Sequence, residues 1–470
     1  MMANPRSGTK PTAAALGLAL AMALAGCAKM IPPDERPVAP IAPAYPLAPA
    51  AQMPASAPAS DIEGHSYFGD ERLKRLIDVA LKNNRDLRIA ALSIEQARAQ
   101  YQIRRADQFP TVGIGASGSR QPIGGGTIST YVAGLSVTAY ELDFFGRVRS
   151  LSAAALAEYM GTEEARKNVQ IALIAAVANT YLSLLADDEL IAVTRQTLLT
   201  REESFKLTKL RFDVGASSEL DYRQAESLLE GARATLPLLI RQRAADENAL
   251  VLLLGQPLPA DLPPGLGIAS QNLINELPAG VPSEVLARRP DVREAEQQLI
   301  AANANIGAAR AAFFPKITLT GGAGSASSEL SGLFKSGSYA WSFAPQLLLP
   351  IFDAGRNQAN LDAANVSRDI AVAQYEKAIQ TAFREVSDAL AGSATFGEQV
   401  RAQQAQVNAE AVRFRLADLR YRNGAASYLD VLDAQRSLFV TQLAMVQAQA
   451  ALVQNQVTLY KVLGGGWKTP

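Results

Sequence analysis

Two stretches of the chain alternate apolar with small or polar residues at a period of two. Val112, Ile114 and Ala116 share one face of "TVGIGASGS" (111–119), and Tyr131, Ala133, Leu135 and Val137 share one face of "YVAGLSVTAYEL" (131–142). This spacing predicts a strand pair joined by a glycine-rich turn at Gly124–Gly126. A second pair is predicted in "KITLTGGAGS" (316–325) and "YAWSFAPQLLL" (339–349). Strands of about ten residues with one apolar face suit an outer-membrane span, although a soluble sheet gives the same alternation. Elsewhere the period lengthens. Arg147 to Gly215 and Arg356 to Gly424 each cover 68 steps without a proline, predicting two helices of roughly 100 Å at 1.5 Å per residue. The chain then returns over 216–255 and 425–464, for roughly 60 Å each. Helices of about 35–40 residues before each strand pair supply the missing length, so two shorter helices are expected to stack end to end against each long one. Leu432, Phe439, Leu443, Val446, Ala450, Val453, Val457 and Tyr460 advance by sevens, fours and threes. That is a coiled-coil seam, and it reads as core packing.

The pattern occurs twice. "LRFDVGASSELDYRQAESLL" (210–229) reappears as "LRYRNGAASYLDVLDAQRSL" (419–438), 209 positions later, and Leu254-Gly255 reappears at that offset as Leu463-Gly464. Phe109-Pro110 matches Phe314-Pro315 at an offset of 205. The chain is therefore read as an internal duplication of a long unit, far beyond solenoid periods. Four strands cannot close a barrel, and open edges are not tolerated in lipid. If the strands span a membrane, several copies must pool them: two copies give eight strands and three give twelve.

Composition narrows the chemistry. Lys+Arg and Asp+Glu both number 45, so nothing marks a nucleic-acid partner. One His and one Cys leave no histidine relay, no disulfide and no metal constellation of the usual kind. No cofactor is expected beyond a covalent lipid on Cys27. That lipid is inferred from a basic start (Arg6, Lys10), an apolar run from Ala13 to Ala25 and "LAGC" ending at Cys27. Such a run is a secretory signal, and "LAGC" resembles a bacterial lipobox, whose cysteine becomes the acylated first residue. Ala28 follows, where Asp typically retains a lipoprotein at the inner membrane. From Ile31 to Ala59 proline recurs among alanines, which reads as an extended tether. After it no apolar stretch long enough to cross a membrane as a helix is expected.

Gly215 and Gly424 stand where a long helix must end and reverse, a role suited to glycine. Past the second turn Asp430, Asp433 and Arg436 fall on one helix face. The first half keeps only Asp221 of that acidic pair, with Gln224 in the place of Asp433. A carboxylate pair also suits glycoside hydrolysis, but these two sit in a heptad-patterned helix. The glycine runs at 124–126 and 464–466 lack the GK[ST] of a phosphate loop. An enzyme is not expected. A lipid-anchored periplasmic coiled-coil scaffold is the other rival.

"RRPDVREAEQQL" (288–299), "YELDFFGR" (140–147), "LPIFDAGR" (349–356) and "LYKVLGGGW" (459–467) together resemble the TolC-like outer-membrane efflux proteins, and more closely their OprM/NodT-type lipoprotein branch. Arg85 and Tyr140 depart from the usual Pro and Trp. The resemblance implies an α+β homotrimer with a twelve-stranded transmembrane β-barrel, four strands per chain, continuous with a long periplasmic α-helical barrel and an equatorial belt. It implies a periplasmic adaptor, an inner-membrane transporter of the resistance-nodulation-division class, and passive export of drugs, solvents, dyes or metal ions. A type I polypeptide secretion duct is the alternative within the class. The matching residues would make Tyr421, Asp433 and Arg436 a tie between hairpins, and Leu429, Asp430 and Asp433 a constriction at the periplasmic gate, with Asp221 its first-half counterpart. The expected organisation is a signal peptide (1–26), a lipid-anchored tether (27–68), a first repeat (69–265), an equatorial linker (266–282), a second repeat (283–466) and a short tail (467–470).

Overall fold

The computed structural model describes residues 30–33, 35–46, 62–271, 273 and 287–467. Cys27, the signal segment 1–26, much of the tether and part of the 266–282 linker lie outside the described residues. The elements in chain order are α1 (Glu71–Asn83), α2 (Arg85–Ala106), β1 (Val112–Ile123), β2 (Gly126–Glu141), α3 (Arg147–Asp213), α4 (Glu219–Leu254), α5 (Pro290–Ala311), β3 (Lys316–Ser327), β4 (Tyr339–Leu348), α6 (Arg356–Arg422) and α7 (Tyr428–Val462). The long helices α3 and α6 have 67 residues each, which matches the proline-free intervals. The chain divides into two compact units. One holds the four strands, and the other holds both helix–turn–helix passages.

In the first unit the strands form one antiparallel sheet in the order β1-β2-β3-β4. β1 and β2 meet through a two-residue turn at Gly124 (φ 57°) and Gly125 (φ 85°), with Ile123 opposite Gly126. Two successive positive φ angles favour glycine at both positions, so the turn fixes the register. That register sets Val112 against Val137, Ile114 against Leu135 and Ala116 against Ala133, and Ala323 and Gly321 against Trp341 and Phe343. One face is thereby apolar and open, with Ile114 85% and Trp341 71% exposed. The other presents Gly, Ser and Thr, as in Ser117, Ser136, Thr320 and Ser342. On that face Gly134 pairs with Gly324, and a Cβ on either would collide with backbone of the opposite strand. Paired glycines let the sheet bend sharply there. β1 and β4 each keep one unpaired edge within the chain.

The second unit is built on helix packing. Leu432, Phe439, Val446, Ala450, Val453, Val457 and Tyr460 are all buried, and Leu443 packs partly buried against the same core. Leu443, Val446, Ala450, Val453, Val457 and Tyr460 share one core with Leu173, Val177, Leu182, Leu250, Leu254, Val386 and Leu390, whereas Leu432 belongs to a separate cluster nearer the tip. The expectation that no helix is apolar enough to cross a membrane is corrected here, because α3 contains such a stretch by length and composition. Its residues Ile171, Ile174, Val177, Ala178 and Leu182 are buried among the other helices of this unit, which is why an unbroken apolar run serves as core.

Two polar hubs stitch this unit. Asp70, 1% exposed, caps α1 by accepting from the amides of Arg72 (2.8 Å) and Leu73 (3.4 Å). It also accepts from Tyr181 Oη (2.9 Å), the Leu266 amide (3.1 Å) and Gln271 Nε2 (3.1 Å). Arg289, the second arginine of "RRPDV", donates to the Val462 carbonyl at the end of α7 (3.0 Å). It pairs with Asp291 at 2.5 Å and Glu385 at 2.8 Å. The described part of the proline-rich segment, 30–33 and 35–46, is docked. Ile31 lies against Gly307, Arg36 pairs with Glu296 at 2.6 Å, and buried Tyr45 stacks on Phe383 at 5.1 Å. Burial pushes the Tyr45 hydroxyl up to about 12.

Candidate functional site at the helix–turn–helix tips

Both tips are built by the same backbone device. α3 ends with Gly215 at φ 73°, its amide bonded to the Phe212 carbonyl (2.9 Å) and the Ala216 amide to the Arg211 carbonyl (2.7 Å). α6 repeats this with Gly424 at φ 70°, bonded to Tyr421 (3.0 Å), and Ala425 bonded to Arg420 (2.9 Å). This is the Schellman pattern, in which a left-handed glycine lets two amides satisfy the last carbonyls. Both glycines therefore stand in the positions expected of them.

The return helices start differently. Ser218 and Asp221 form a capping box: Asp221 N donates to Ser218 Oγ (3.1 Å), and Ser218 N donates to Asp221 Oδ2 (3.3 Å). Asp221 is thus occupied in holding the first turn of α4. In the second half Ser427 makes no side-chain cap, and Asp430 and Leu429 stand exposed.

Asp433 is tied twice. It accepts from Arg436 Nη2 at 2.7 Å, one turn on along α7, and in a very short contact from Arg413 on α6. The Arg413 hydrogen bond, with Arg436 beside it, holds the Asp433 carboxyl below the usual carboxylate range. Arg413 also reaches Glu410 at 3.2 Å. Tyr421 stands apart from this pair. Its hydroxyl accepts from Arg211 Nη1 of α3 at 2.5 Å, and the guanidinium lies 5.0 Å from its ring centre. Behind them Tyr428, Val431, Leu432 and Ala225 form a small buried cluster against which Phe205, Phe414 and Tyr421 pack.

Within the chain, then, the structure brings Asp433 and Arg436 together, and it gives Tyr421 a partner from the first hairpin. Arg413 and Arg211 were not anticipated. Arg413 had a signal, since residues roughly equidistant from Gly424 face each other across the hairpin. Arg211 had none, because its contact joins two hairpins 210 positions apart. Among the described residues no His, Cys, Asp and Glu cluster is arranged to hold a metal. The tip offers exposed carboxylates, an apolar side chain and ties of modest strength. It can attract cations and can be rearranged.

A family model described as outer membrane efflux protein matches residues 76–256 and 281–465. The solvent efflux pump outer membrane protein SrpC of Pseudomonas putida is 50% identical over 455 residues, covering 94% of this chain and 96% of that protein. Outer membrane protein OprJ of Pseudomonas aeruginosa is 46% identical over 466 residues, covering 97% of each. Among solved structures, the open state of the MtrE outer membrane channel of Neisseria gonorrhoeae superposes with a TM-score of 0.86 at 42% identity, covering 94% of this chain and 99% of that one. CusC, described as forming a transmembrane channel, gives 0.82 at 39%, covering 93% and 99%.

Proposed function

The chain belongs to the outer membrane efflux protein family, and from that premise we propose that it works as a homotrimer whose twelve pooled strands form the duct of a tripartite efflux pump. It is an outer-membrane channel component of TolC-like fold. The carrying observation is the sheet: one open apolar face, one face of small polar residues, paired bending glycines and two free edges. In lipid such edges require closure, and three copies supply it. The helical unit extends into the periplasm, where an adaptor and an inner-membrane transporter of the resistance-nodulation-division class deliver drugs, solvents, dyes or metal ions. The duct does no chemistry. Cys27 carries a lipid that adds anchorage to a chain already spanning the membrane, and intact-mass analysis of the mature protein reads this directly. An unmodified Cys27 or cleavage elsewhere refutes it.

The gate lies at the second tip. Leu429, Asp430 and Asp433 appear three times around a narrow axis in a trimer, while the bonds of Asp433 to Arg413 and Arg436 and of Tyr421 to Arg211 hold the hairpins. An adaptor that binds the open arrangement better shifts the population toward it. Asp433→Ala with Arg436→Ala is expected to raise single-channel conductance in planar bilayers. Asp430→Ala with Asp433→Ala is expected to weaken block by multivalent cations from the periplasmic side. Unchanged conductance and unchanged block overturn the gate assignment; a stable monomer in native mass spectrometry overturns the channel assembly.

A further inference from the structure

Where the strands give way to the helices, the first unit holds a cleft of about 340 Å³, within the range of small-molecule sites, roughly 300–1,000 Å³. Part of its lining is apolar: Phe144, Phe314, Leu348 and Pro350. Phe314 stacks on Phe145 at 4.8 Å, and Leu348 is 61% exposed. The charges are unequally matched. Glu141 accepts from Arg147 at 2.8 and 2.6 Å and pairs with Lys316 at 3.3 Å. Asp143 takes the Arg149 amide at 2.8 Å and its guanidinium at 3.4 Å. Asp353 spends its two oxygens on the Gly355 and Asn357 amides, at 3.0 and 2.8 Å. No carboxylate of the cleft is left for Arg356, which is exposed at the start of α6. The Lys316 side chain is 51% exposed, so both cations are open to an occupant. Register gives the direction in which they face. Lys316 pairs with Leu348 and Glu141 with Thr318, so these four share the face of Thr320 and Ser342, opposite the open apolar one.

We propose that this cleft is a transit site for amphipathic organic monoanions, an apolar body carrying one carboxylate or sulfonate, on their way through the duct. The proposal rests on the reading of the strands as a transmembrane duct, in which the apolar face meets lipid and the small polar face lines the passage. Arg356 supplies a planar fork of donors that matches an oxyanion. Lys316 adds a second cation beside it, and Phe144, Phe314 and Leu348 offer surface to the apolar body. An inorganic anion leaves that surface wet, and a neutral aromatic leaves the fork unused. With Arg149 the cleft carries four cations against three carboxylates, and the excess of one matches one anionic group. Because Arg356 and Lys316 stand open to solvent, the site holds its occupant weakly, as passage requires.

The full-length protein in planar bilayers tests this, with naphthalene-1-sulfonate added from the extracellular side, where a probe meets the strands before the helix tips. Brief, concentration-dependent block of the current is expected, and 1-naphthylmethylammonium at the same concentration should give none. Arg356→Gln should raise the half-blocking concentration about tenfold, the loss of one hydrogen bond to a charged group. Lys335→Gln, in the β3–β4 connection at the other end of the sheet, should leave it unchanged. Crystals soaked with 4-bromonaphthalene-1-sulfonate should show a bromine peak against Phe144 or Phe314 with the sulfonate at Arg356. In a conducting channel, a peak without block is binding at crystal concentration only and overturns the proposal. Equal block by sulfate or by the ammonium compound overturns it too, as does a cleft filled by a neighbouring copy. A chain that forms no channel overturns the duct and the transit site together, whereas a conducting channel without block overturns the site alone.

Discussion

Asp70→Ala tests whether one carboxylate holds the start of α1, the middle of α3 and the segment near Leu266 together. The carboxylate is 1% exposed and meets five donors. Its charge is carried by those hydrogen bonds and by the amino end of α1, with no cation needed. Removing it deletes a helix cap, worth about 1 kcal/mol. It also strands the Tyr181 hydroxyl and the Leu266 amide, at about 1–3 kcal/mol each. Water entering the gap recovers part of this, so about 4 kcal/mol is expected. At about 2 °C per kcal/mol for a body of this size, the midpoint should fall by about 8 °C. Asp70→Asn keeps one oxygen for the cap but turns an NH₂ toward the Leu266 amide, a donor facing a donor, and should cost about half as much. Tyr181→Phe removes a single bond and should cost about 1 kcal/mol. The assay is far-UV circular dichroism on heating in detergent at matched scan rates, since membrane proteins of this size unfold irreversibly. An Asp70→Ala midpoint within 1 °C of the parent, or an Asn variant more stable than the parent, refutes the hub.

Asp187 of α3 is buried beside Asp246 of α4, with Asp188 and Arg243 nearby, and burial first, then the hydrogen bond with Asp246, raises its carboxyl to about 7. The folded protein therefore holds a proton that the unfolded chain releases near pH 4. Stability from that proton is complete below pH 4 and is lost as pH rises through about 7. The midpoint should fall between pH 5 and 8, and Asp187→Asn should flatten the fall; an equal slope in the variant contradicts the assignment. Gly324→Val should reduce the heat-modifiable folded form in outer membranes, because its Cβ meets the Ala133 carbonyl. Gly113→Ala, with nothing within 4 Å, should leave that form unchanged.

Local periodicity carried much of the architecture. The strand pairs were legible because alternation and the Gly124-Gly125 turn act between near neighbours, and the helix ends because a left-handed glycine closes a helix wherever it stands. Asp433 and Arg436 were legible for the same reason, being one turn apart. Asp70 and Arg289 were not. Their partners lie as far as 201 and 173 positions away, and no pattern in one sequence tells a buried charge from a solvated one. The docking of Ile31 and Tyr45 was hidden by composition, since two apolar residues among prolines do not change the reading of a segment as extended.

The duplicated passage shows what a repeat leaves open. Ser218-Glu219-Leu220-Asp221 and Ser427-Tyr428-Leu429-Asp430 occupy corresponding places, yet only the first closes a capping box. Where Asp221 returns to the backbone, Asp430 remains exposed. Gln224 lines a small cavity with Asp433 and Arg436, whereas its counterpart Asp433 itself gathers Arg413 and Arg436. Phe212 stacks on Tyr222 at 5.3 Å, whereas its counterpart Tyr421 adds a hydroxyl that Arg211 seizes. The glycine turn is identical in both halves because reversal of a helix demands it. The side chains around it are not: beside its capping box the first hairpin is tied by Arg233–Glu202 (3.2 Å) and Arg243–Asp188 (2.6 Å), and the second, without a cap, by Arg413–Asp433 and by the bond of Tyr421 to Arg211. Such ties are individually weak and exchangeable, so the gate proposed at the second tip rests on contacts that a binding partner can replace.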